Sequence, residues 1–384
     1  MNRATSRKSA FRRLVHGTTT PLASIFGSGF LVIVSLLSDT AGPFSLFAMA
    51  AICAVAYAVG AVIRHNIAHA EPALAQPQAP PLLKLFERVS DLALVPAYII
   101  SVTLYLRILA SYALGFFDAD TEFNERMLTT AIIAFILLIE LVRGLKTLEG
   151  LERWSLITTL AIIFLMIGSF AWYDAGVLSA AGVILPPLPD HSAWEIVTVL
   201  AGTLIVVQGF ETTRYLGDEF DADTRIRASR NAQLISTAVY LLFVAVSLPL
   251  MHFFSGDVAG NALIELAKEV AVWLAAPLVL AALFSQFSAA TADAISASGN
   301  ILEITRHRLP VKITYVLICG LAILLTWTAD TFEILALASR AFAFYYFLQC
   351  LVALEVTKTA RGKAALVSLA ALLLFITIFA VPVG

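Results

Sequence analysis

Residues 194–219 read WEIVTVLAGTLIVVQGFETTRYLGDE, and within this apolar segment Gln208-Gly209-Phe210-Glu211 places a glycine and a carboxylate at membrane depth. A charge there costs about 2.5–3.5 kcal/mol on insertion scales, so it is rarely present without a role. The pair predicts a helix that stops near the middle of the bilayer and offers its unpaired backbone groups to a ligand. Transporters build binding sites in this way.

The composition of the whole chain indicates that its solvent is a bilayer. Of its 384 residues, 60% are hydrophobic and only 14% are charged, which is more apolar surface than a water-soluble fold needs. The net charge of −2 comes with no basic stripe, so no nucleic-acid partner is expected. Cys53, Cys319 and Cys350 lie in apolar runs without CxxC spacing and are interpreted as buried free thiols. We therefore expect an all-α integral membrane protein.

Apolar windows of about 20 residues recur about eleven times along the chain. They lie at Thr18–Ser38, Pro43–Arg64, Arg88–Leu114, Met127–Val142, Trp154–Tyr173, Trp194–Glu219, Asn231–Met251, Leu274–Ser298, Val311–Ala329, Thr331–Val356 and Ala364–Val383. Outside them we expect a polar, basic N-terminal tail (1–17), an outer loop (174–193) and an inner loop that leads into the eleventh helix (357–384). The tail is interpreted as cytoplasmic rather than as a signal peptide, because no small-residue cleavage site follows it.

The lysines and arginines predict that the N-terminus lies on the inner side. With that orientation only Arg126 and Lys268 of the 25 basic residues fall outside, whereas Arg107, Arg214 and Arg340 lie within spans. Because basic residues are retained on the cytoplasmic side, we expect a multi-pass protein of the cell inner membrane with a cytoplasmic N-terminus. An eleventh span then leaves the C-terminus outside.

Two connections between spans have distinctive patterns. The inner connection 66–81 is rich in proline and is expected to be flexible and extended. His65 and His69, at its start, are interpreted as a polar helix end rather than a metal pair, because HExxH is absent. The outer stretch 256–272 is amphipathic, so it either covers the outer mouth as a lid or rests on the membrane surface.

The first span contains a second interruption, at Gly27-Ser28-Gly29. Each glycine costs a helix about 1 kcal/mol relative to alanine, although close helix packing through small residues is the alternative explanation. An odd number of spans separates the two interruptions, so a second repeat (194–356) enters the membrane inverted relative to a first repeat (18–173). Paired interruptions in inverted halves point to a substrate site at the midplane.

Several short motifs together resemble those of the amino acid–polyamine–organocation (APC) permeases. They are Gly27-Ser28-Gly29, Gln208–Glu211, Glu219 with the following Arg225, Arg227 and Arg230, and Gly299–Leu302 with Leu309-Pro310. The resemblance covers residues 18–356. It implies the leucine-transporter-type fold, in which five plus five helices form an inverted repeat with broken helices 1 and 6, here with one extra helix.

The same resemblance implies where a ligand would bind, between spans one, three, six, eight and ten. Backbone N–H groups around Ser28 and Gly29 would receive a carboxylate, carbonyls near Gln208 and Gly209 an ammonium, and Phe210 would be an occluding aromatic. The implied substrate-binding residues are Phe26, Gly27, Ser28, Gly29, Gln208, Gly209 and Phe210. The chain departs from some proton-coupled relatives, which carry a lysine in span five, because its residues 157–171 include no ionisable side chain.

The eighth span supplies candidate residues for ion coupling. Ser285, Ser288 and Thr291 recur at three-residue spacing, and Asp293 follows them. Sodium-coupled transporters of this fold place hydroxyls of span eight against carbonyls of span one, so one hypothesis is a Na⁺ site at Gly27, Ser288 and Thr291. The other is that these hydroxyls bond their own helix. No other metal and no cofactor are expected, and H⁺ is the alternative coupling ion.

Glu211 is a further candidate for ion coupling. Arg214, three residues along, could neutralise it on one helix face, and a carboxylate that can lose such a partner makes an ion switch. Arg107, Arg340 and Asp39 are candidates for an outer gate, with an Arg340–Asp39 pair as one arrangement and snorkelling or structural pairing as the other.

These patterns predict a secondary active transporter that moves an amino acid or a related small amine by alternating access, coupled to Na⁺ or H⁺. A sodium/solute or inorganic-ion carrier of the same fold is the alternative, and a non-transporting membrane protein or an intramembrane enzyme is a remote one. An intramembrane enzyme is not expected, since HExxH, Gly-x-Ser-x-Gly and paired aspartates are absent. The expected partners are a small-molecule substrate and the lipid bilayer. The sequence leaves the oligomeric state open.

Overall fold

The computed structural model describes residues 2–142, 144, 151–181, 185–254 and 259–383, and the secondary structure within these ranges is helical. In chain order the α-helices are α1 (Asn2–Ser28), α2 (Phe30–Ala41), α3 (Ser45–His65), α4 (Glu71–Leu74), α5 (Pro81–Gly115), α6 (Glu122–Val142), α7 (Leu151–Ala181), α8 (Ala193–Ala201), α9 (Ala222–Ser247), α10 (Leu263–Val270), α11 (Ala275–Ile304), α12 (Val311–Thr328), α13 (Thr331–Val356) and α14 (Ala360–Phe379). Shorter 3₁₀ segments include Leu204–Val207 and Phe210–Leu216.

These helices fill the predicted membrane crossings. Within the described ranges, eight segments are long and apolar enough to span a membrane, and the first of them, Phe30–Leu74, joins α2 to α3. It therefore holds the second half of the first crossing and the whole of the second. The fourth crossing, α6, carries charged residues at both ends, and the sixth is divided into short pieces, so neither meets that criterion. The prediction of an all-α membrane protein is confirmed.

The helices extend beyond the predicted crossings on both sides of the membrane. α1 begins at Asn2, so the first crossing starts well inside a helix that already includes residues 2–17. α5 begins at Pro81, where proline is well suited to a first helical turn, and α7 continues to Ala181. Hydropathy marks where a helix meets lipid, whereas backbone hydrogen bonding decides where the helix ends.

The inner connection 66–81 is not extended in its first half, so that prediction was wrong. Asn66–Ala70 forms a π-helical turn and leads directly into α4. The buried Asn66 amide donates hydrogen bonds of 2.9 and 2.8 Å to the backbone and side-chain carbonyls of Gln349 on α13. These bonds satisfy the side-chain nitrogen of Asn66 in the interior and fix the turn against the tenth crossing.

The outer amphipathic stretch forms α10, which packs inward. Its apolar residues Leu263, Ile264, Leu266 and Ala267 are buried, and Glu265 on the opposite face lines a cavity. Of the two interpretations, these contacts favour a lid over this end of the helix bundle rather than a helix that rests on the membrane surface.

The three cysteines are buried, and His65 lies beside His69. Cys53, Cys319 and Cys350 are buried and free, as predicted. The rings of His65 and His69 stack with their centroids 4.4 Å apart. Across the described ranges, no group of three or more His, Cys, Asp or Glu side chains is arranged to hold a metal ion.

Burial separates a central helix from a peripheral one. α5 packs along both α11 and α13, and 72% of its membrane-spanning window is buried. α14 packs mainly against α13, and only 17% of its window is buried. α14 is therefore the extra helix, attached to the outside of the ten-crossing core.

Candidate functional site

Both predicted interruptions are present. α1 ends at Ser28 and α2 begins at Phe30, so Gly29 alone joins the two halves of the first crossing. The side chain of Ser28 lies outside the described part of the structure. In the sixth crossing α8 ends at Ala201, and two 3₁₀ segments follow that are separated by Gln208 and Gly209. Gly209 has φ +123°, a backbone conformation that residues with a side chain rarely adopt.

The two interruptions contact each other through their glycines. A Cβ atom built on Gly29 would lie 2.7 Å from the Cα of Val206, and one built on Gly209 would lie 2.7 Å from the backbone nitrogen of Ile25. Both distances are shorter than any ordinary carbon contact, so the backbones can approach this closely only where the side chain is absent. The glycines therefore serve both to interrupt the helices and to pack one interruption against the other.

Tyr240 on α9 links the same two segments. Its hydroxyl lies 3.1 Å from the carbonyl oxygen of Ile25 and 2.9 Å from that of Val206. A hydroxyl from a neighbouring helix thereby joins the backbone of one interruption to the backbone of the other. The sequence offered no signal for this residue, since a lone tyrosine in an apolar span is most often a packing residue.

Glu211 is buried, and its environment differs from the prediction. One carboxylate oxygen accepts hydrogen bonds from the Gly209 backbone N–H at 2.9 Å and from the Tyr346 hydroxyl at 2.8 Å. Its other oxygen is buried without a hydrogen-bond partner. Arg214 does not neutralise it, because the Arg214 guanidinium forms an ion pair with Glu87 on α5. The predicted Glu211–Arg214 pair is corrected accordingly: the arginine reaches across to another crossing rather than along its own segment.

Gln208 and Phe210 are both buried and contact different neighbours. The Gln208 amide donates a hydrogen bond of 3.0 Å to the Tyr105 hydroxyl on α5. The Phe210 ring stacks on Tyr346 of α13 with the centroids 5.5 Å apart. The sixth-crossing break is thus held against the third and tenth crossings, which are among those the resemblance implied.

On α11, two of the three expected hydroxyls, those of Ser285 and Thr291, turn toward their own helix. Thr291 donates to the carbonyl of Ser288 at 2.9 Å, and Ser285 points to a carbonyl one turn back. The Gly27 carbonyl, expected to face a Na⁺ ion, instead accepts a hydrogen bond of 2.9 Å from Gln286. Gln286 carries no recognisable motif, which is why the sequence did not single it out.

Asp293 is the buried carboxylate that a cavity reaches. It is 4% exposed and accepts a hydrogen bond from Ser101 on α5. The nearby Tyr98 hydroxyl is buried without a hydrogen-bond partner and interacts electrostatically with both Asp293 and Glu211. A buried carboxylate needs a proton, a cation or several donors, so this group of side chains is suited to hold a positive charge.

The cavity that reaches Asp293 opens toward the membrane face at which α1 begins, here called the N-terminal face. Its volume is about 480 Å³, and it lies between α1, the segment Phe210–Leu216 and α11. Its lining begins at His16 and Phe220 and extends to Ser24, Ser288, Thr291 and Asp293. The charged side chains of the lining are Glu219 and Asp293, so the cavity is acidic.

A second cavity, of about 420 Å³, lies on the opposite face beneath α10. Asp39 and His191 are part of its lining, and it shares no lining residue with the cavity at Asp293. Phe30, Phe210 and Tyr240 are buried in the intervening layer. The structure therefore has an open path from the N-terminal face and a closed layer toward the other.

The three gating candidates do not meet. Asp39 lies 3.4 Å from the His191 ring, and Arg340 donates a hydrogen bond of 2.8 Å to the Thr377 carbonyl on α14. Of the two arrangements considered, the Arg340–Asp39 pair is not formed, and the arginine bonds the extra helix instead. Arg107 is buried, 3.8 Å from Glu125 and 3.3 Å from Thr331, in the structural pairing that the sequence left as the alternative.

Two interrupted helices packed against each other, with separate cavities on either side, define a membrane transporter of the leucine-transporter type. Solved structures with the same fold include a manganese transporter of Eremococcus coleocola in complex with an aromatic bis-isothiourea compound. The TM-score is 0.58 and the sequence identity is 12%, and the match covers 95% of this chain and 85% of that one. Another is Mhp1, a nucleobase-cation-symport-1 family transporter in a closed conformation, with a TM-score of 0.55, 11% identity and coverage of 87% and 77%. At these identities the likeness shows the fold alone.

A family model described as APC superfamily transporter matches residues 7–381, and the chain belongs to that superfamily. An uncharacterized protein of Aquifex aeolicus (strain VF5) is 39% identical over 346 residues, which is 89% of this chain and 84% of that protein. The resemblance found in the sequence motifs is thereby confirmed.

Proposed function

We propose that this transporter moves a small amine or amino acid by alternating access, and that it is a secondary active transporter coupled to H⁺ or Na⁺. The observation that carries the proposal is the cavity of about 480 Å³ that runs from the N-terminal face to Asp293 between the two interrupted helices. Its volume suits a small metabolite, and its charged lining side chains are carboxylates. A protonated amine is therefore the chemical group that this cavity favours.

Asp293 is the proposed coupling residue. It sits at the junction of the cavity and the closed layer, hydrogen-bonded to Ser101, with the Tyr98 hydroxyl and Glu211 nearby. H⁺ is the preferred ion because a proton needs a single carboxylate, whereas Na⁺ needs several oxygen ligands and the Gly27 carbonyl is already hydrogen-bonded to Gln286. An ion that crosses the membrane potential supplies about 2.3 kcal/mol per 100 mV for each charge, enough for about fifty-fold accumulation.

The orientation follows from the basic residues. We propose that the N-terminal face is cytoplasmic, which makes the present conformation inward-open. Transition-metal transport is less well supported, because the described residues contain no group of three metal-binding side chains.

The proposal is tested in proteoliposomes by counterflow with a panel of labelled amines and amino acids, with the Na⁺ and pH gradients imposed separately. The expected result is counterflow of an amine-bearing substrate and accumulation driven by one of the two gradients. Asp293→Asn should lose gradient-driven accumulation and keep counterflow. Glu355→Gln, which changes an exposed carboxylate of α13 that does not line the cavity, is the control and should keep both. Uptake that ignores both gradients would remove the coupling proposal.

A further inference from the structure

A second polar cavity lies apart from the transport cavity, between α5 and the end of α11. Its volume is about 440 Å³. Arg88 and Asp91 of α5 line one side, and Asn300, Glu303 and Arg306 line the other. None of these five residues lines the cavity at Asp293. The end of α11 and the start of the third crossing place this second cavity, here called the α5–α11 cleft, at the level where the membrane meets water.

The charged side chains of the α5–α11 cleft are of both signs and do not neutralise each other. Among the ion pairs of the described residues, none joins Arg88 or Arg306 to Asp91 or Glu303. Two guanidinium groups and two carboxylates around one cleft match a ligand that carries a negative and a positive group.

Asn300 supplies an independent indication of a ligand. It is 7% exposed, and its side-chain nitrogen has no hydrogen-bond partner although it lines the cleft. Buried amide donors are almost always paired, so an unpaired one facing a cavity indicates an acceptor supplied from outside the chain. The turn beside it is also strained, because Arg306 and His307 have φ of +53° and +56° without being glycine.

The border of the cleft toward the bilayer is apolar. Leu92 is 57% exposed and Ile304 is 41% exposed, and both line the cleft. A ligand with a charged head and a hydrocarbon tail would place its head among the arginines and carboxylates and its tail along these two side chains.

We propose that the α5–α11 cleft binds the headgroup of a zwitterionic phospholipid that carries a phosphate and a primary ammonium. The two arginines and the Asn300 amide donate hydrogen bonds to the phosphate. The two carboxylates accept hydrogen bonds from the ammonium, and this requires N–H groups that a quaternary ammonium lacks. The occupant is therefore a phosphatidylethanolamine-type lipid rather than a phosphatidylcholine.

The test uses the full-length protein, delipidated in detergent and mixed with phosphatidylethanolamine, phosphatidylcholine or phosphatidylglycerol of identical acyl chains. Retained lipid is measured by native mass spectrometry, and the melting temperature is measured in parallel. Phosphatidylethanolamine should be retained about tenfold more strongly than phosphatidylcholine, the factor expected for a charge-assisted hydrogen bond. Arg306→Ala should reduce phosphatidylethanolamine retention about tenfold by the same reasoning.

Two further variants separate the two halves of the headgroup. Glu303→Gln should weaken the preference for phosphatidylethanolamine over phosphatidylcholine while leaving phosphate recognition in place. Arg308→Ala changes a basic residue that does not line the cleft, and it should behave as wild type. Equal retention of the two zwitterionic lipids, a preference for phosphatidylglycerol, or an equal effect of Arg306→Ala and Arg308→Ala would each overturn the proposal. Soluble O-phosphoethanolamine that binds as tightly as the lipid would also overturn it, since the tail would then contribute nothing.

Discussion

Gly209→Ala is the substitution that most directly tests how the two interruptions pack. The new Cβ would lie 2.6 Å from the Ser24 side-chain oxygen and 2.7 Å from the Ile25 backbone nitrogen. Overpacking of this kind costs about 1–3 kcal/mol, and holding a non-glycine residue at positive φ costs about 1–3 kcal/mol more. The expected loss of stability is therefore about 2–6 kcal/mol, which is a large share of the stability of a typical domain.

The matched control is Gly168→Ala in α7. A Cβ at Gly168 meets nothing within 4 Å, and the residue lies inside a regular helix. There the same substitution should stabilise the protein by about 0.4–1 kcal/mol, because alanine restricts the unfolded chain without a clash. The two variants carry the same chemical change and should move the melting temperature in opposite directions.

The assay is thermal unfolding in detergent, followed by counterflow in proteoliposomes for each variant that remains folded. Ser24→Ala combined with Gly209→Ala should recover only part of the lost stability, because the backbone contact with Ile25 remains. A Gly209→Ala protein that has the melting temperature of the wild type and transports normally would refute the close packing of the two interruptions.

Glu211→Gln should preserve folding but abolish gradient-driven accumulation, measured against counterflow in the same vesicles. Tyr346→Phe, which removes one hydrogen bond and keeps the carboxylate, should reduce accumulation much less. Glu71→Gln leaves the buried guanidinium of Arg225 without the carboxylate that pairs with it. The free energy of unfolding should fall by about 2–4 kcal/mol, which thermal unfolding would measure. This loss is somewhat below the range for fully buried pairs because Glu71 is partly exposed. Asp221→Ala should destabilise α9 by about 1 kcal/mol at neutral pH, as loss of a helix N-cap does. The hydrogen bond from the Thr224 backbone lowers the pKa of Asp221. The stabilisation by this cap should therefore be complete above about pH 4 and be lost as the pH falls through the folded-state pKa. Melting temperatures measured over a series of pH values would show this loss.

The sequence predicted helix bounds well where polar groups stand directly at the end of a crossing. The predicted tenth crossing, Thr331–Val356, coincides with α13, because Asp330 and Glu333 form a capping box that starts the helix at the membrane boundary. The third crossing was predicted from Arg88, although α5 starts at Pro81. Its first two turns, residues 81–87, carry Lys84 and Glu87 among apolar side chains, and the prediction began the crossing only after these charges.

The sequence also identified both interruptions but not what holds them. Gly29 and Gly209 are visible as weak helix formers, whereas their contacts with Val206 and Ile25 depend on how distant crossings pack. The predictions of which charged side chains pair were wrong for the same reason. Arg214 has Glu211 three residues away in sequence, yet it pairs with Glu87 on another helix, and no periodicity within one segment encodes that choice.

The Tyr240 hydroxyl has a consequence for the energy of conformational change. It carries one proton and stands between two acceptors, so only one of the two carbonyls can hold that proton at any moment. If the backbone of the first crossing moves away from that of the sixth, the hydroxyl can keep its hydrogen bond to one of the two carbonyls. The number of hydrogen bonds that the hydroxyl donates then does not change. The Tyr240 hydroxyl on α9 therefore stays hydrogen-bonded while the two interruptions move apart. The movement does not leave this donor unpaired inside the membrane.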